Sequence, residues 1–537
     1  MSTSPETLVS PPAPPPEPWR PKYNPWLIGV VVALAAFMEV LDTSIANVAL
    51  PYMAGNLGAS NDESTWVLTS YLVSNAIVLP ISGWLASLFG RKRFFMLCIF
   101  IFTLASVFCG TAASLGMLLL FRIIQGAGGG GLQPMAQAIL ADVFPPQKRG
   151  LAFALYGVTA IMAPTIGPTL GGWITDNYTW RWIFFINLPV GILAMFLVLR
   201  LVEDPPFLKR VKGAGIRVDY LGISLLVLGV GALQILLDKG QEDDWFGSRF
   251  ITTLAIVSAV CLVSLVIWEW NSKAPIIDVK MFKSFNFASA SLMMFILGML
   301  LFASLVMMPQ YLQTLMGYTA ESAGLVLSGS GAIILLEMPI VGQLTTKVPA
   351  KYIIAFGWLA LAIGMYISTV RLDLLISFRS AAVLRVIQGF GLGFLFVPIT
   401  LAGYIGAPPE KANSIAGIIN FMRNIGSSVG TSMVTTLLAR RAQVHQAMLA
   451  QHTTPFDPAL RNQLNGLAAQ LVHSGASRAD APKLANGLIY RATQAQAQTL
   501  AYIDTFMVLA IAAGIMFVLA FILRKNDPRA GGGVAVG

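Results

Sequence analysis

WLIGVVVALAAFMEVLDTSIANVAL, residues 26–50, is the stretch whose reading decides the fold. Apart from Glu39 and Asp42 it carries no charge, and it is long enough for the roughly 20 apolar residues that a membrane-spanning helix needs. The pattern recurs along the chain. Of the 537 residues 56% are hydrophobic and 11% are charged. A soluble globular chain carries about 25% charged residues. Mean hydropathy is +0.72. Together these values define an all-α integral membrane protein.

The two acids in this first span stand out against that background. On most scales a carboxylate inside a bilayer costs several kcal/mol, so it is kept for a reason. Asp42 and Glu39 lie one helical turn apart on the same face. A buried acid that binds and releases a proton is what a proton-driven carrier requires. The plain alternative is a neutral, hydrogen-bonded packing residue.

Counting apolar runs gives about fourteen spans. Six run near 26–50, 65–86, 94–113, 117–140, 151–174 and 183–201. Two follow near 218–238 and 250–270, then six near 286–313, 321–346, 352–371, 378–405, 412–438 and 501–523. The net charge of +10 is concentrated in short loops on one side, at Arg91, Lys92 and Arg93, Lys148 and Arg149, Lys209, Arg210, Lys212 and Arg217, Lys273, Lys280 and Lys283, and Lys347 and Lys351. Arg524 and Lys525 add to it, whereas 51–64 carries only the acids Asp62 and Glu63. This is a topology signal rather than a nucleic-acid footprint, and it predicts that both termini are cytoplasmic.

The proline-rich run PPAPPPEP lies in a tail, 1–25, that reads as a disordered cytoplasmic segment and not as a signal peptide. The domain plan is then a six-helix bundle over 26–201, two inserted helices with linkers over 202–285, a second six-helix bundle over 286–523, and a cytoplasmic tail from 524 to 537. Cys98, Cys109 and Cys261 all fall in apolar spans and predict neither disulfide nor metal site.

The two bundles repeat each other. PISGWL at 80–85 recurs as PIVGQL at 339–344, FRIIQG at 121–126 as LRVIQG at 384–389, and Gly167 and Gly171 as Gly426 and Gly430. Parallel repeats of this kind place a substrate site at their interface near the midplane and alternate access by rocking.

Read together, four stretches resemble the major facilitator superfamily, in particular the fourteen-helix drug:proton antiporters of the EmrB/QacA type: LDTSIANVALP (41–51), LFRIIQGAGGGG (120–131), APTIGPTLGG (163–172) and WRWIFFINLPVG (180–191). The resemblance covers nearly the whole chain. It implies a major facilitator fold of 6 + 2 + 6 helices and a proton-coupling role for the first-span acid, with Arg122 as its partner. The residues themselves agree, because Asp42 and Arg122 come out at similar depths when each span is counted inward from its outer end. A static ion pair is the alternative.

Gly126, Gly128 and Gly131 formally match G-x-G-x-x-G. They lie in an apolar helix with no preceding strand, which excludes a dinucleotide site and favours close helix packing. Ala163, Gly167 and Gly171 form a small-residue stripe, with Pro164 and Pro168 expected to kink the same helix. GWLASLFGRKR (83–93), with Gly83 and Gly90, resembles the family's loop between the second and third spans. Ser87 stands where that loop usually has an acid, so the charge relay it implies is in doubt, while Arg91 remains free to pair with Asp142.

In the second bundle Glu337, Arg385 and Arg423 are intramembrane charges, and Asn420, Arg423 and Asn424, with Glu337, are candidates for lining the central cavity. Met293, Met294, Met299, Met307 and Met308 read as lipid-facing or packing residues, or as an adaptable apolar pocket. The segment 439–500 is the only long outward loop. It carries a stripe of Leu460, Leu464, Leu467 and Leu471, and also His445, His452 and His473, whose spacing fits no metal site.

No G-x-x-x-x-G-K-[ST] loop is present to bind ATP phosphates. The expectation is an exporter of hydrophobic or amphiphilic drugs in the bacterial inner membrane, driven by the proton gradient without cofactor or metal, and not an enzyme. The rivals are export of an endogenous solute such as a fatty acid, siderophore or lysolipid, and a non-transporting sensor or scaffold. Resemblance to EmrB-type pumps also implies a periplasmic adaptor of EmrA type and an outer-membrane channel, with residues 455–475 expected to form an outward helix that meets the adaptor or folds back over the pump.

Overall fold

The computed structural model describes residues 19, 21–206, 218–272, 275–406, 408–451 and 457–523. The proline run, the C-terminal tail, Lys209, Arg210, Lys212, Arg217, Lys273 and His452 lie outside the described residues.

The first half contains α1 (Pro25–Leu57), α2 (Asn61–Phe89), α3 (Arg91–Thr111), α4 (Leu115–Gly129), α5 (Leu132–Val143), α6 (Arg149–Asn177), α7 (Trp182–Phe185) and α8 (Asn187–Leu201). The insert is α9 (Tyr220–Lys239) and α10 (Arg249–Asn271). The second half is α11 (Phe285–Thr314), α12 (Ala320–Leu344), α13 (Ala350–Arg371), α14 (Phe378–Tyr404), α15 (Ala412–Gln451), α16 (Pro458–His473) and α17 (Ala481–Ala520).

Thirteen helical segments among the described residues are long and apolar enough to span a bilayer, counting α4 with α5 and α7 with α8 as one each. The fourteenth, α15, falls below that mark because Asn413, Asn420, Arg423, Asn424 and a run of serines and threonines dilute it. The 6 + 2 + 6 plan is therefore present, and no strand occurs among the described residues.

Local chemistry fixes the helix ends. Ser60 and Glu63 form a reciprocal capping box that starts α2, with the Ser60 amide donating to Glu63 Oε2 at 2.8 Å. Gly58, in the left-handed region at φ 64°, ends α1. The fourth span, expected as one helix, is broken between Gly129 and Leu132. Its glycines admit neighbours at close range: a methyl group at Gly128 would lie 2.7 Å from the Phe102 amide, and one at Gly126 would run into the Tyr71 carbonyl.

α6 passes through Pro164 and Pro168 without a break. Pro168 has no amide to offer the Pro164 carbonyl, and Ser44 of α1 donates to that oxygen instead at 3.2 Å. Gly167 makes room for the serine, and Gly171 lies against Ile45. The stripe therefore packs α6 on α1.

The loops holding Arg91, Lys92, Arg93, Lys148, Arg149, Lys347 and Lys351 all lie at one end of the bundle, called here the basic face. The halves meet along two seams, α6 with α12 and α2 with α15. At the basic face a methyl group on Gly83 would lie 2.9 Å from the Ser414 backbone, and Gly150 faces Thr345. Toward the opposite face Gly324 approaches Thr169.

One expectation is corrected and two open alternatives are narrowed. The five methionines of α11 are all buried, which bears out the packing alternative over the lipid-facing one. Residues 439–500 are mostly helix rather than loop, because α15 continues to Gln451 and α17 begins at Ala481, twenty residues before the expected span. The leucine stripe of α16 is half-buried, and α16 packs on α17. The physical reason is common to the last two: a stretch rich in Ala, Gln and Leu is a strong helix former whether or not it is apolar enough to enter a membrane.

Candidate functional site

Asp42 sits at the centre of a buried polar cluster held by four helices. Arg122 of α4 donates from Nη1 to Asp42 Oδ2 at 2.6 Å. Gln125, one turn further along α4, donates to Asp42 Oδ1 at 2.9 Å, and Asn187 at the start of α8 donates to the same oxygen at 2.7 Å. Asn187 is itself held by Ser106 of α3 at 3.0 Å. Arg122 also donates to the Gln125 side chain at 2.8 Å and from Nε to the Val67 carbonyl of α2 at 3.1 Å. Its guanidinium lies 4.3 Å from the Tyr71 ring centroid. Both oxygens of the carboxylate are engaged, as a buried charge requires.

Glu39, one turn before Asp42, belongs to a second cluster that reaches the other half. It accepts from Tyr71 at 3.1 Å, from Asn75 at 3.0 Å and from Gln133 of α5. Gln133 Oε1 accepts in turn from Tyr156 of α6 at 2.9 Å and from Arg423 of α15. Asn420, one turn from Arg423, donates to Gln137 of α5 at 2.8 Å, and Tyr156 also reaches Asn420 at 3.4 Å. A continuous polar chain thus runs from α1 through α5 to α15, across the interface of the halves. It unites Glu39, Asn420 and Arg423, three residues singled out by sequence.

Asn424 lies beside this chain, with its side-chain oxygen buried and unpaired. Glu337 stands apart: it is 4% exposed, packs on Gly393 between α12 and α14, and neither carboxylate oxygen has a partner among the described residues. Arg385 of α14 donates to Ser304 of α11 at 3.0 Å and to Gln388 at 2.9 Å.

At the basic face Arg91 pairs with Asp142, as expected, and donates to the Ala138 carbonyl at 3.2 Å. Ser87 bonds only locally, to the Trp84 carbonyl at 2.7 Å. The α3 N-terminus begins at Gly90, which supplies no cap. Asp204, from the segment after α8, fills that place by accepting from the Lys92 amide at 2.7 Å. Asp204 thus brings a carboxylate to the helix end that follows Ser87.

Sequence reading missed Gln125, Gln133, Gln137, Tyr71, Asn75, Tyr156 and Asn187. The available signal was the presence of amides in apolar spans, which are costly there unless they pair. His445 is also not a free surface histidine, since it meets Asp504 of α17 at 2.8 Å.

Comparison with known proteins agrees with this fold. Residues 32–431 match the model of the Major Facilitator Superfamily. The multidrug export protein EmrB of Escherichia coli K12 is 40% identical over 82% of this chain and 86% of its own length. The fatty acid resistance protein FarB of Neisseria gonorrhoeae is 38% identical over 83% of this chain and 87% of its own. Among solved structures, the proton:xylose symporter XylE superimposes with a TM-score of 0.59 at 14% identity, covering 94% of this chain and 97% of that one. With its 6 + 2 + 6 helices and its two buried polar clusters, the chain belongs to the major facilitator superfamily, in the group of EmrB-type transporters.

Proposed function

We propose that this protein is a proton-driven antiporter that exports hydrophobic or amphiphilic compounds across the bacterial inner membrane by alternating access, with the basic face and both termini in the cytoplasm. The observation that carries this reading is the Asp42–Arg122 pair, an ionisable contact with 0% exposure at the arginine inside a membrane-spanning bundle. A proton delivered to Asp42 removes the charge that Arg122 pairs with. Removing one partner of a buried pair costs about 3–5 kcal/mol. A two-state equilibrium is inverted by about 5.5 kcal/mol, so one protonation supplies most of what a change of access needs.

Glu39 extends the effect. Its carboxylate is tied through Gln133 to Arg423, so protonation on α1 loosens a bond between the halves. The proton gradient is then the only energy source, and no cofactor enters. The names of the relatives support drugs as the substrate class, and FarB supports a second reading in which the cargo is a fatty acid.

The outward extension of α15, α16 and α17 supports a docking role for a periplasmic adaptor that leads to an outer-membrane channel. The test uses proteoliposomes with an internal pH dye. Drug or fatty acid added under a proton gradient is expected to accelerate proton movement, and flux unaltered by any compound of either class would overturn the reading. Deleting 455–475 is expected to preserve this flux while abolishing adaptor co-purification. Retained adaptor binding would remove the docking role.

A further inference from the structure

The inserted helices have no counterpart in either repeat, yet α9 touches both halves. Its face, with Leu226 and Val230, forms one apolar cluster with Ala76 of α2, Ile425 of α15 and Leu265 of α10. Polar contacts at the end away from the basic face then go to both sides. Toward the first half, Lys239 donates to the Asp62 carbonyl at 3.3 Å and to Thr65, and Thr69 donates to Asp238. Toward the second half, Gln234, 1% exposed, donates to Ser428 at 2.7 Å, and the Trp245 indole donates to Thr436 at 3.1 Å.

Trp245 reaches Thr436 at the expense of backbone strain. Asp244 and Trp245, at φ 57° and 47°, are the only non-glycine residues with positive φ among the described residues. Two consecutive side-chain-bearing residues in that region persist only when their surroundings hold them there, and such strain gathers at functional turns. The surroundings are visible here: Gly240 leaves room for the Trp245 ring, which a methyl group at that position would meet at 2.7 Å.

The two sets of contacts differ in kind. Those to α2 involve the charged groups of Asp238 and Lys239, and charge-assisted bonds are the stronger class. Those to α15 join neutral groups only. When the halves rock, the α2–α15 separation at this end changes, and α9 keeps one set at most. On the reading of alternating access given above, we propose that α9 and its 240–248 turn form a strap that travels with the first half and reversibly clasps α15 through Gln234–Ser428 and Trp245–Thr436.

The experiment places spin labels on the full chain in lipid nanodiscs, in a Cys261→Ser background, with Trp245→Cys paired to Thr436→Cys and, separately, Thr69→Cys paired to Asp238→Cys. Distance distributions are recorded at acidic and alkaline pH. The strap predicts one narrow, unchanging distance for 69–238 and two populations for 245–436 whose ratio shifts with pH. A narrow, invariant 245–436 distance, or a 69–238 distance that shifts equally, would overturn it. A second arm joins each cysteine pair with a short reducible cross-linker and measures proton flux. The 245–436 link is expected to lower flux at least tenfold, with recovery on reduction, while the 69–238 link leaves it within twofold. Full flux with 245–436 linked would likewise overturn the strap. Reduced protein that shows no flux with any compound would instead count against the export reading, and the distance measurements still decide the strap.

Discussion

Arg122 in the first half lies 2.6 Å from Asp42, whereas Arg385, at the matching place in the second half, finds the Ser304 hydroxyl at 3.0 Å. Each arginine holds a glutamine three residues on, Gln125 at 2.8 Å and Gln388 at 2.9 Å. Each cluster also includes a serine of the neighbouring span, Ser106 or Ser368. Around that shared frame the acids are gone from the second half: Ser304 replaces Asp42, and Leu301 falls where Glu39 would be. No carboxylate pairs with Arg385 among the described residues. Around Arg385 the repeat has kept the cation and the amide without a carboxylate, and the buried acid of the second half, Glu337, lies elsewhere, against Gly393. The buried arginine of one half is paired with an acid; that of the other is not.

The largest expected effect comes from removing that difference. Asp42→Asn still accepts a hydrogen bond from Arg122 but no longer titrates. It is expected to lower proton-coupled flux by about a hundredfold, the equivalent of roughly 3 kcal/mol, with the protein still folded and inserted. Arg385→Gln, which touches no acid, is expected to lower flux less than about tenfold. Equal losses in proteoliposomes would mean that the halves share the coupling.

A smaller effect separates the two glycine stripes. A methyl group at Gly426 would run into the Phe295 carbonyl, which is backbone, while one at Gly171 would come no nearer than 3.1 Å to Ile45. Gly426→Ala is expected to destabilise by about 1–3 kcal/mol as overpacking. Gly171→Ala asks its neighbour to give only a few tenths of an ångström and is expected to cost less than about 1 kcal/mol. Thermal unfolding in detergent ranks the pair, and the reverse order would show that α6 approaches α1 more closely than α15 approaches α11.

The smallest effect is at the basic face, where α3 is capped by Asp204 and its repeat α13 begins at Pro349 with no side-chain cap. Ser87→Asp is expected to change transport less than about twofold, because the helix end already has its carboxylate. Asp204→Ala is expected to be the more damaging substitution in the same assay. If instead Ser87→Asp raises transport several-fold, Asp204 is an incomplete substitute.

Much of this was legible beforehand, for identifiable reasons. Long apolar runs and the repeat fixed the span order, the cost of burying charge pointed to Asp42 and Arg122, and the resemblance of residues 83–93 to the family's loop brought in the Arg91–Asp142 pair. What stayed hidden were the amides. Gln125 and Gln133 are uncharged and fit an apolar helix without disturbing its pattern, so only their partners on other spans reveal them. Asp204 was hidden because it acts on a helix more than 100 residues earlier in the chain. The far end of α17 was misread because hydropathy reports where a helix enters the membrane, not where it starts.

That last feature has a mechanical side. α15 and α17 are each 40 residues long, roughly 60 Å at 1.5 Å per residue, against a bilayer core of about 30 Å. Each is unbroken from the second half outward; α15 packs on α17, and α16 packs on α17. The assembly is a lever whose short arm is the transport interface. A tilt of roughly 10° in the second half swings a tip about 30 Å above the membrane through about 5 Å. A small rearrangement around Asn420 and Arg423 is thereby magnified into a displacement well outside the lipid.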